Sequence, residues 1–216
     1  MENNNSAAIL AQQLLKVKAV RLSPKEPFTW ASGLKSPIYC DNRITLSYTD
    51  VRTFIRDEFV KSVKQYYGNP DVIAGVATGG IAQGALVAQM LNLPFVYVRS
   101  EKKSHGMNNQ IEGDLKKGQK VVVIEDLVST GKSSLAAVDA LREAGAEVIG
   151  MLAIFTYQMQ LASDNFAAKQ CELHTLTNYS TLIDEAIKEN YISKNDLESL
   201  MEWRKDQQSW SDKFNA

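Results

Sequence analysis

The densest chemistry in the sequence lies in the stretch VVVIEDLVSTGKSS, residues 121–134. Four apolar β-formers lead into two adjacent carboxylates, Glu125 and Asp126. A turn of hydroxyls and glycine, Ser129-Thr130-Gly131, follows, and then a helix begins. In an open α/β sheet, ligands bind beyond the carboxyl ends of strands, which is where this order puts its polar groups. Backbone amides of the turn and of the helix N-terminus suit a phosphate, helped by the hydroxyls of Thr130, Ser133 and Ser134. The carboxylates would repel a bare phosphate, so they should face neutral hydroxyls or a metal. A ribose 5-phosphate satisfies both halves, with phosphate on the turn and the 2- and 3-hydroxyls on the acids.

Gly131-Lys132-Ser133 also looks like the end of a Walker A loop. That motif needs glycine at position 126, where this chain has Asp126 and would set a negative charge against a triphosphate. A buried strand ending in an exposed acidic turn accounts for the position of the acids. It does not account for an acidic pair placed before a phosphate-type turn.

A second chemical segment lies between the apolar runs ending at Val98 and beginning at Val121. It has no apolar period and holds Gly106, Gly113 and Gly118 with Arg99, Lys102, Lys103, His105, Lys116, Lys117 and Lys120. Long structureless loops inside compact domains are usually lids or binding loops, although a solvated surface excursion or hairpin also fits.

The elements that must position these groups are legible. Ile9, Leu10, Leu14, Leu15 and Val17 share a helix face, with Ser6 as the expected N-cap. Pro24 and Pro27 forbid a helix where they stand, so short extended pieces around 28–30 and 38–40 form a small hood. Val51, Phe54, Ile55, Phe59 and Val63 mark a helix that Gly68-Asn69-Pro70 ends. Strands are expected at 72–76, 94–98, 121–124 and 148–155, alternating with helices at about 78–91 and 133–144. A further strand near 171–176 precedes two helices capped by Ser180 and Ser193, the latter in a capping box with Asp196. Continuous β-branched runs alternating with helices give an α/β fold, a mostly parallel central sheet flanked by helices. The expected organisation is an N-terminal helix and hood over residues 1–48 and an α/β core with C-terminal helices over 49–216, one structural domain in all.

Composition excludes several classes. Among 216 residues, 24 Lys and Arg meet 25 Asp and Glu, a formal charge of −1, which argues against a nucleic-acid binder held by its global field. Cys40 and Cys171 cannot form a disulfide framework and fit a reducing cytoplasm. The first twenty residues lack a secretory pattern, and no apolar run approaches a membrane span. A soluble, compact, intracellular protein is expected, with no nucleic-acid or membrane partner and no structural zinc site.

The strand, acid pair and Thr/Gly turn of residues 121–134 closely resemble the phosphoribosyl diphosphate signature of type I phosphoribosyltransferases. FTWASGLKSPIYCDNR, residues 28–43, resembles the hood signature of the orotate phosphoribosyltransferases. RSEKKSHGMNNQIEG, residues 99–113, resembles their mobile catalytic loop. The resemblance spans roughly residues 20–160, with three motifs in order. It implies transfer of a phosphoribosyl group to N1 of orotate for pyrimidine synthesis, with Mg²⁺, in a homodimer whose loop 99–113 reaches the neighbour's diphosphate. It implies catalytic roles for Arg99, Lys103 and His105, which also touch phosphoribosyl diphosphate. That substrate would further be bound by Glu125, Asp126, Leu127, Val128, Ser129, Thr130, Gly131, Lys132 and Ser133. Orotate would meet Ser129, Tyr39 and Cys40, and the Mg²⁺ would be held mainly by substrate rather than by protein ligands. Ala31 and Gly79 stand where some members carry lysine, and Thr156-Tyr157 where some offer arginine, which suggests a different subgroup.

This chemistry needs no enzyme nucleophile, in keeping with the absence of a Ser-His-Asp or Cys-His set. Two other readings use the same fold: transfer to another base, and a nucleotide- or RNA-binding regulator without turnover. The hood signature speaks against the first, and the acid pair with Lys103 against the second. Lys35 reads equally as a phosphate contact or a solvated turn lysine. Cys40 reads as a packing residue, His174 as structural, and Trp203 and Trp210 as core or dimer packing.

Overall fold

The computed structural model describes residues 2–30, 32–100 and 110–214, with side chains from residue 5 onward. Helix α1 (Glu2–Lys16) buries Leu10, Ala11, Leu14 and Leu15. It begins before Ser6, so the expected cap lies inside the helix. The hood follows as two antiparallel pairs: β1 (Val20–Leu22) with β4 (Ile38–Cys40), and β2 (Phe28–Thr29) with β3 (Lys35–Ser36). A 3₁₀ helix (Asn42–Ser47) leads to α2 (Thr49–Ser62), whose Val51, Ile55 and Phe59 recur every four residues on the buried face. After a π turn over 63–67, Gly68 takes φ +66° and the chain enters the sheet.

The core runs β5 (Val72–Val76), α3 (Gly79–Leu91), β6 (Phe95–Val98), β7 (Ile111–Glu112), β8 (Lys120–Val128), α4 (Lys132–Glu143), β9 (Glu147–Thr156), α5 (Gln160–Ala168), β10 (Leu173–Asn178) and α6 (Tyr179–Lys188). A 3₁₀ turn (Lys194–Asp196), α7 (Leu197–Lys205) and α8 (Gln207–Asp212) complete it. The six-stranded sheet has the order β10-β9-β8-β5-β6-β7 and is parallel except for β7. Alternate residues of β5 and β8 feed two cores. Ile73, Val122 and Ile124 face α1, α2, α3 and the C-terminal helices, while Val72, Ala74, Val121 and Val123 face α4 and α5. Burial on both faces is why these strands read as unbroken apolar runs.

The structure departs from the sequence expectations in four further places. β8 extends through the acid pair to Val128, because β9 continues beside it as far as Thr156. The segment after Val98 returns as β7, antiparallel to β6, so its described parts are the stems of a hairpin. Helix α6 is capped by Asn178, whose side chain accepts from the Thr181 amide, and Ser180 lies within the first turn. Helix α5 was not foreseen. The Ser193–Asp196 capping box is present, and Trp203 and Trp210 are core residues.

Candidate active site

β5 ends at Val76, and its neighbour β8 runs further. Its last pairing with β5 is Ile124 with Gly75, so residues 125–128 pair only with β9. The space left beyond β5 is a cavity of ≈ 710 Å³, within the usual range for small-molecule sites. It is lined by Val76–Gly79, by Glu125, Asp126 and Leu127, by Ser129–Ser134, and by Cys40, Asp41 and Arg43 of the hood side.

The turn that closes the cavity is locally determined. Gly131 adopts φ +77°, and a Cβ there would meet the Phe166 ring at 2.6 Å, so only glycine fits. Asn165 of α5 donates to the Thr130 carbonyl at 2.9 Å and fixes the turn from behind. The first amides of α4 have no intrahelical acceptors and, with the helix dipole, suit an anion at Ser129–Ser133.

The two acids, alike in sequence, differ in environment. Glu125 is 5% exposed; its Oε2 accepts from Ser134 Oγ at 2.8 Å and its Oε1 from the Asp126 amide at 3.0 Å. Burial, and then the neighbouring Asp126 charge, push the Glu125 carboxyl well above the ordinary carboxylate range. Asp126 is half-buried, and its carboxylate covers Gly79, where any Cβ would collide with it. Gly80, next along, approaches the Ile124 carbonyl as closely. The glycine pair that opens α3 thus lets the helix press onto the end of β8. The Ala77–Thr78 peptide between β5 and α3 is cis.

On the hood side, Arg43 forks onto Asp41, with Nε–Oδ1 at 2.7 Å and Nη2–Oδ2 at 3.0 Å. The Arg43 hydrogen bond holds the Asp41 carboxyl below its usual range. Cys40 lines the cavity, and burial followed by the charges of Asp126 and Asp41 raises its thiol. Behind it, Tyr157 is 3% exposed and packs against Trp30 and Trp203 at ring distances of 5.6 and 5.4 Å. Burial raises its phenol well above the ordinary value.

Of the residues named from the sequence, Glu125, Asp126, Leu127, Ser129, Thr130, Gly131, Lys132, Ser133 and Cys40 meet at this cavity. Val128 is fully buried in the α4–α5 core, on the opposite side from Leu127, and so lies outside the lining. Tyr39 points to the opposite face of β4 from Cys40, as a strand requires, and packs at a tilt against Phe28, with Arg21 over both rings. Arg99 stands on the hairpin stem, its Nη1 3.6 Å from Glu112, and does not line this chain's cavity. Lys35 donates to Thr29 across β2 and β3. His174 stacks on Tyr66 at 3.7 Å, away from the site. Lys103, His105 and Ala31 lie outside the described residues. Sequence reasoning missed Asp41, Arg43, Asn42 and Asn165 as site residues. The acid–arginine pair two residues apart beside Cys40 could have signalled the first two; the others act through contacts distant in sequence.

The family model of the phosphoribosyl transferase domain matches residues 45–190, which hold the whole sheet and the acid-pair turn. An orotate phosphoribosyltransferase of Cytophaga hutchinsonii is 55% identical over 201 residues, covering 93% of this chain and 96% of that relative. One from Listeria monocytogenes is 56% identical over 201 residues, with 93% and 96% covered. The chain belongs to the orotate phosphoribosyltransferase family. It is thus an enzyme of phosphoribosyl transfer. Among solved structures, the family member from Aeropyrum pernix superposes with a TM-score of 0.74 at 30% identity, covering 85% of this chain and 99% of that one. The shared architecture is the curled, mostly parallel sheet with flanking helices on which this family builds its site.

Proposed function

We propose that this cavity carries out the reaction of its family, transferring the 5-phosphoribosyl group of phosphoribosyl diphosphate to N1 of orotate. The products are orotidine 5′-phosphate and diphosphate, in the synthesis of pyrimidine nucleotides. The observation that carries the reading is that the acid pair and the Ser129–Ser133 turn open on one cavity with the hood residue Cys40. The 5-phosphate rests on the turn amides and hydroxyls, the ribose hydroxyls meet Asp126 with Glu125 behind it, and the base lies toward Cys40 and Ser129.

N1 of orotate attacks C1 as the bond from C1 to the diphosphate oxygen breaks, through an oxocarbenium-like transition state. Arg43 is the hood-side cation of the cavity, held in orientation by Asp41, and in this reading it faces the orotate carboxylate. Asp41 is committed to Arg43 and Glu125 to Ser134, while Asp126, beside Glu125, is the half-buried carboxylate of the pair that lines the cavity. That donor set suits an Mg²⁺ held mainly by substrate oxygens. When bound, the ion neutralises charge on the departing diphosphate.

The remaining charge is assigned to Arg99, Lys103 and His105, on the loop 99–113 of a neighbouring copy in a homodimer. A mainly apolar depression lined by Leu46, Ala82, Ala85 and Leu86 with Arg52 and Gln89 supports self-association. Residues 1–48 act as helix and hood, and 49–216 as the transferase core. Both cysteines are free thiols, which suits the cytoplasm. Among the described residues, no helix is long and apolar enough to cross a membrane.

The test is loss of orotate absorbance with phosphoribosyl diphosphate and Mg²⁺, beside uracil and hypoxanthine. Orotate turnover alone is expected, with Lys103→Ala slower by about 10²–10³. Mixing Lys103→Ala with Asp126→Ala should restore part of the activity if the loop serves the neighbouring site. Turnover of a different base, or of none, would overturn the reading.

A further inference from the structure

The four residues by which β8 outruns β5 create a main-chain problem. In a sheet interior, each strand satisfies its amides and carbonyls on both sides, and a buried group left without a partner is costly. Beyond Ile124 the β5 side of β8 has no strand partner. Asp126 is the residue exposed to that loss, and its main chain is bonded on that side by side chains. Its amide donates to Glu125 Oε1 at 3.0 Å. Its carbonyl accepts from Asn42 Nδ2 at 2.6 Å, across 84 residues of sequence.

Each bond has its own support. Glu125 is steadied by the Ser134 hydroxyl, and Ser134 is 1% exposed. Asn42 is 2% exposed, and its own carbonyl accepts from Thr45 Oγ1 at 2.6 Å, with Thr45 also buried. Only the Nδ2 end of Asn42 can donate to a carbonyl, so the bond fixes the amide's orientation. Gly79, with no Cβ, leaves room for the Asp126 carboxylate where it lies.

We infer that Asn42, directly, and Ser134, through Glu125, are positioning residues that hold the carbonyl and the amide of Asp126 and so aim its carboxylate into the cavity. Asn42 is the more consequential of the two. It follows Cys40 and Asp41 directly and ties the base side of the cavity to the ribose side through one hydrogen bond. The inference rests on the proposed ribose contact of Asp126.

The experiment is a double-mutant cycle in the full-length chain: Asn42→Ala, Asp126→Ala and the pair, with Ser134→Ala as a second arm should Asn42→Ala fail to fold. A misplaced catalytic contact can lower kcat/KM by about 10²-fold, and a loss of that order, borne by the phosphoribosyl diphosphate substrate, is expected for Asn42→Ala. In the Asp126→Ala background the same change should have almost no further effect, because the group it positions is gone. Equal losses in both backgrounds would show a merely structural role and overturn the inference, as would unchanged kinetics in Asn42→Ala and Ser134→Ala alike. Calorimetric binding of ribose 5-phosphate to the same variants reads the clamp without turnover. A wild-type chain that binds ribose 5-phosphate through Asp126 yet turns over no orotate would therefore overturn the proposed reaction and leave the clamp to be judged by that binding cycle.

Discussion

Gly79 and Asp126 share one space: the carboxylate of the second lies where the side chain of the first would have to begin. With the carboxylate in this place, only a residue without a Cβ fits at position 79. It also gives a direct perturbation. Gly79→Ala introduces a Cβ that must displace the Asp126 carboxylate, and a drop of about 10²-fold in kcat/KM for phosphoribosyl diphosphate is expected. Steady-state kinetics check it, and wild-type values in the variant would mean that Asp126 lies elsewhere when substrate binds.

Glu125 gives stability a pH dependence of known sign. Its carboxyl is raised in the folded state by burial and by Asp126, so the folded chain holds that proton more tightly than the unfolded chain does. The contribution is complete below the unfolded value and is lost as pH rises through the folded one. Glu125→Gln keeps the side chain neutral throughout. Its Tm relative to the parent should therefore climb as pH rises from the ordinary glutamate range through the raised folded-state range. A flat difference across that window would contradict the assignment.

Trp203 is the hub of an aromatic cluster, with Trp30, Tyr157 and Tyr179 at ring distances of 5.7, 5.4 and 5.5 Å. Trp203→Ala should cost about 3–5 kcal/mol, read from the urea midpoint. Trp30 belongs to the hood and donates to the Ile38 carbonyl. The KM for orotate should accordingly rise in Trp203→Phe, a milder variant that stays folded.

Arg43 distinguishes ligands by one group. Orotidine 5′-phosphate has the carboxylate that uridine 5′-phosphate lacks. Arg43→Gln should weaken the first by about ten- to a hundredfold and leave the second nearly unchanged. Isothermal titration of the two nucleotides makes the comparison, and parallel losses would remove Arg43 from base recognition.

The strands of the core were legible because each is buried on both faces and reads as an unbroken β-branched run, Val72–Val76 and Val121–Ile124 most clearly. The acid pair and turn were legible because all their determinants are contiguous. What escaped lies in contacts between distant segments. β8 runs on to Val128 because β9 lies beside it, which no feature of Leu127 or Val128 announces. Asn42 looks like any loop asparagine until it is brought to the Asp126 carbonyl. Helix α5, short and weakly amphipathic, is defined by Phe166 packing under Gly131 and by Asn165 reaching Thr130. Tyr39 and Cys40 are neighbours on β4, and of the two only Cys40 is among the residues that line the cavity.

Helix α1, the first element of the chain, is fastened to some of the last. Thr177 donates to the Ala7 carbonyl at 2.9 Å, Gln12 reaches Glu185 at 2.7 Å, and in the hood the Lys35 amide donates to Ser211 at 2.9 Å. During synthesis, α1 and the hood therefore emerge long before the surfaces that bury them exist. Contacts so remote in sequence slow folding, and the α1 face that carries Leu10 and Leu14 is covered by β10 and α6 only once those elements have been made. A nascent chain stalled before residue 173 would lack that cover and display the apolar face to chaperones.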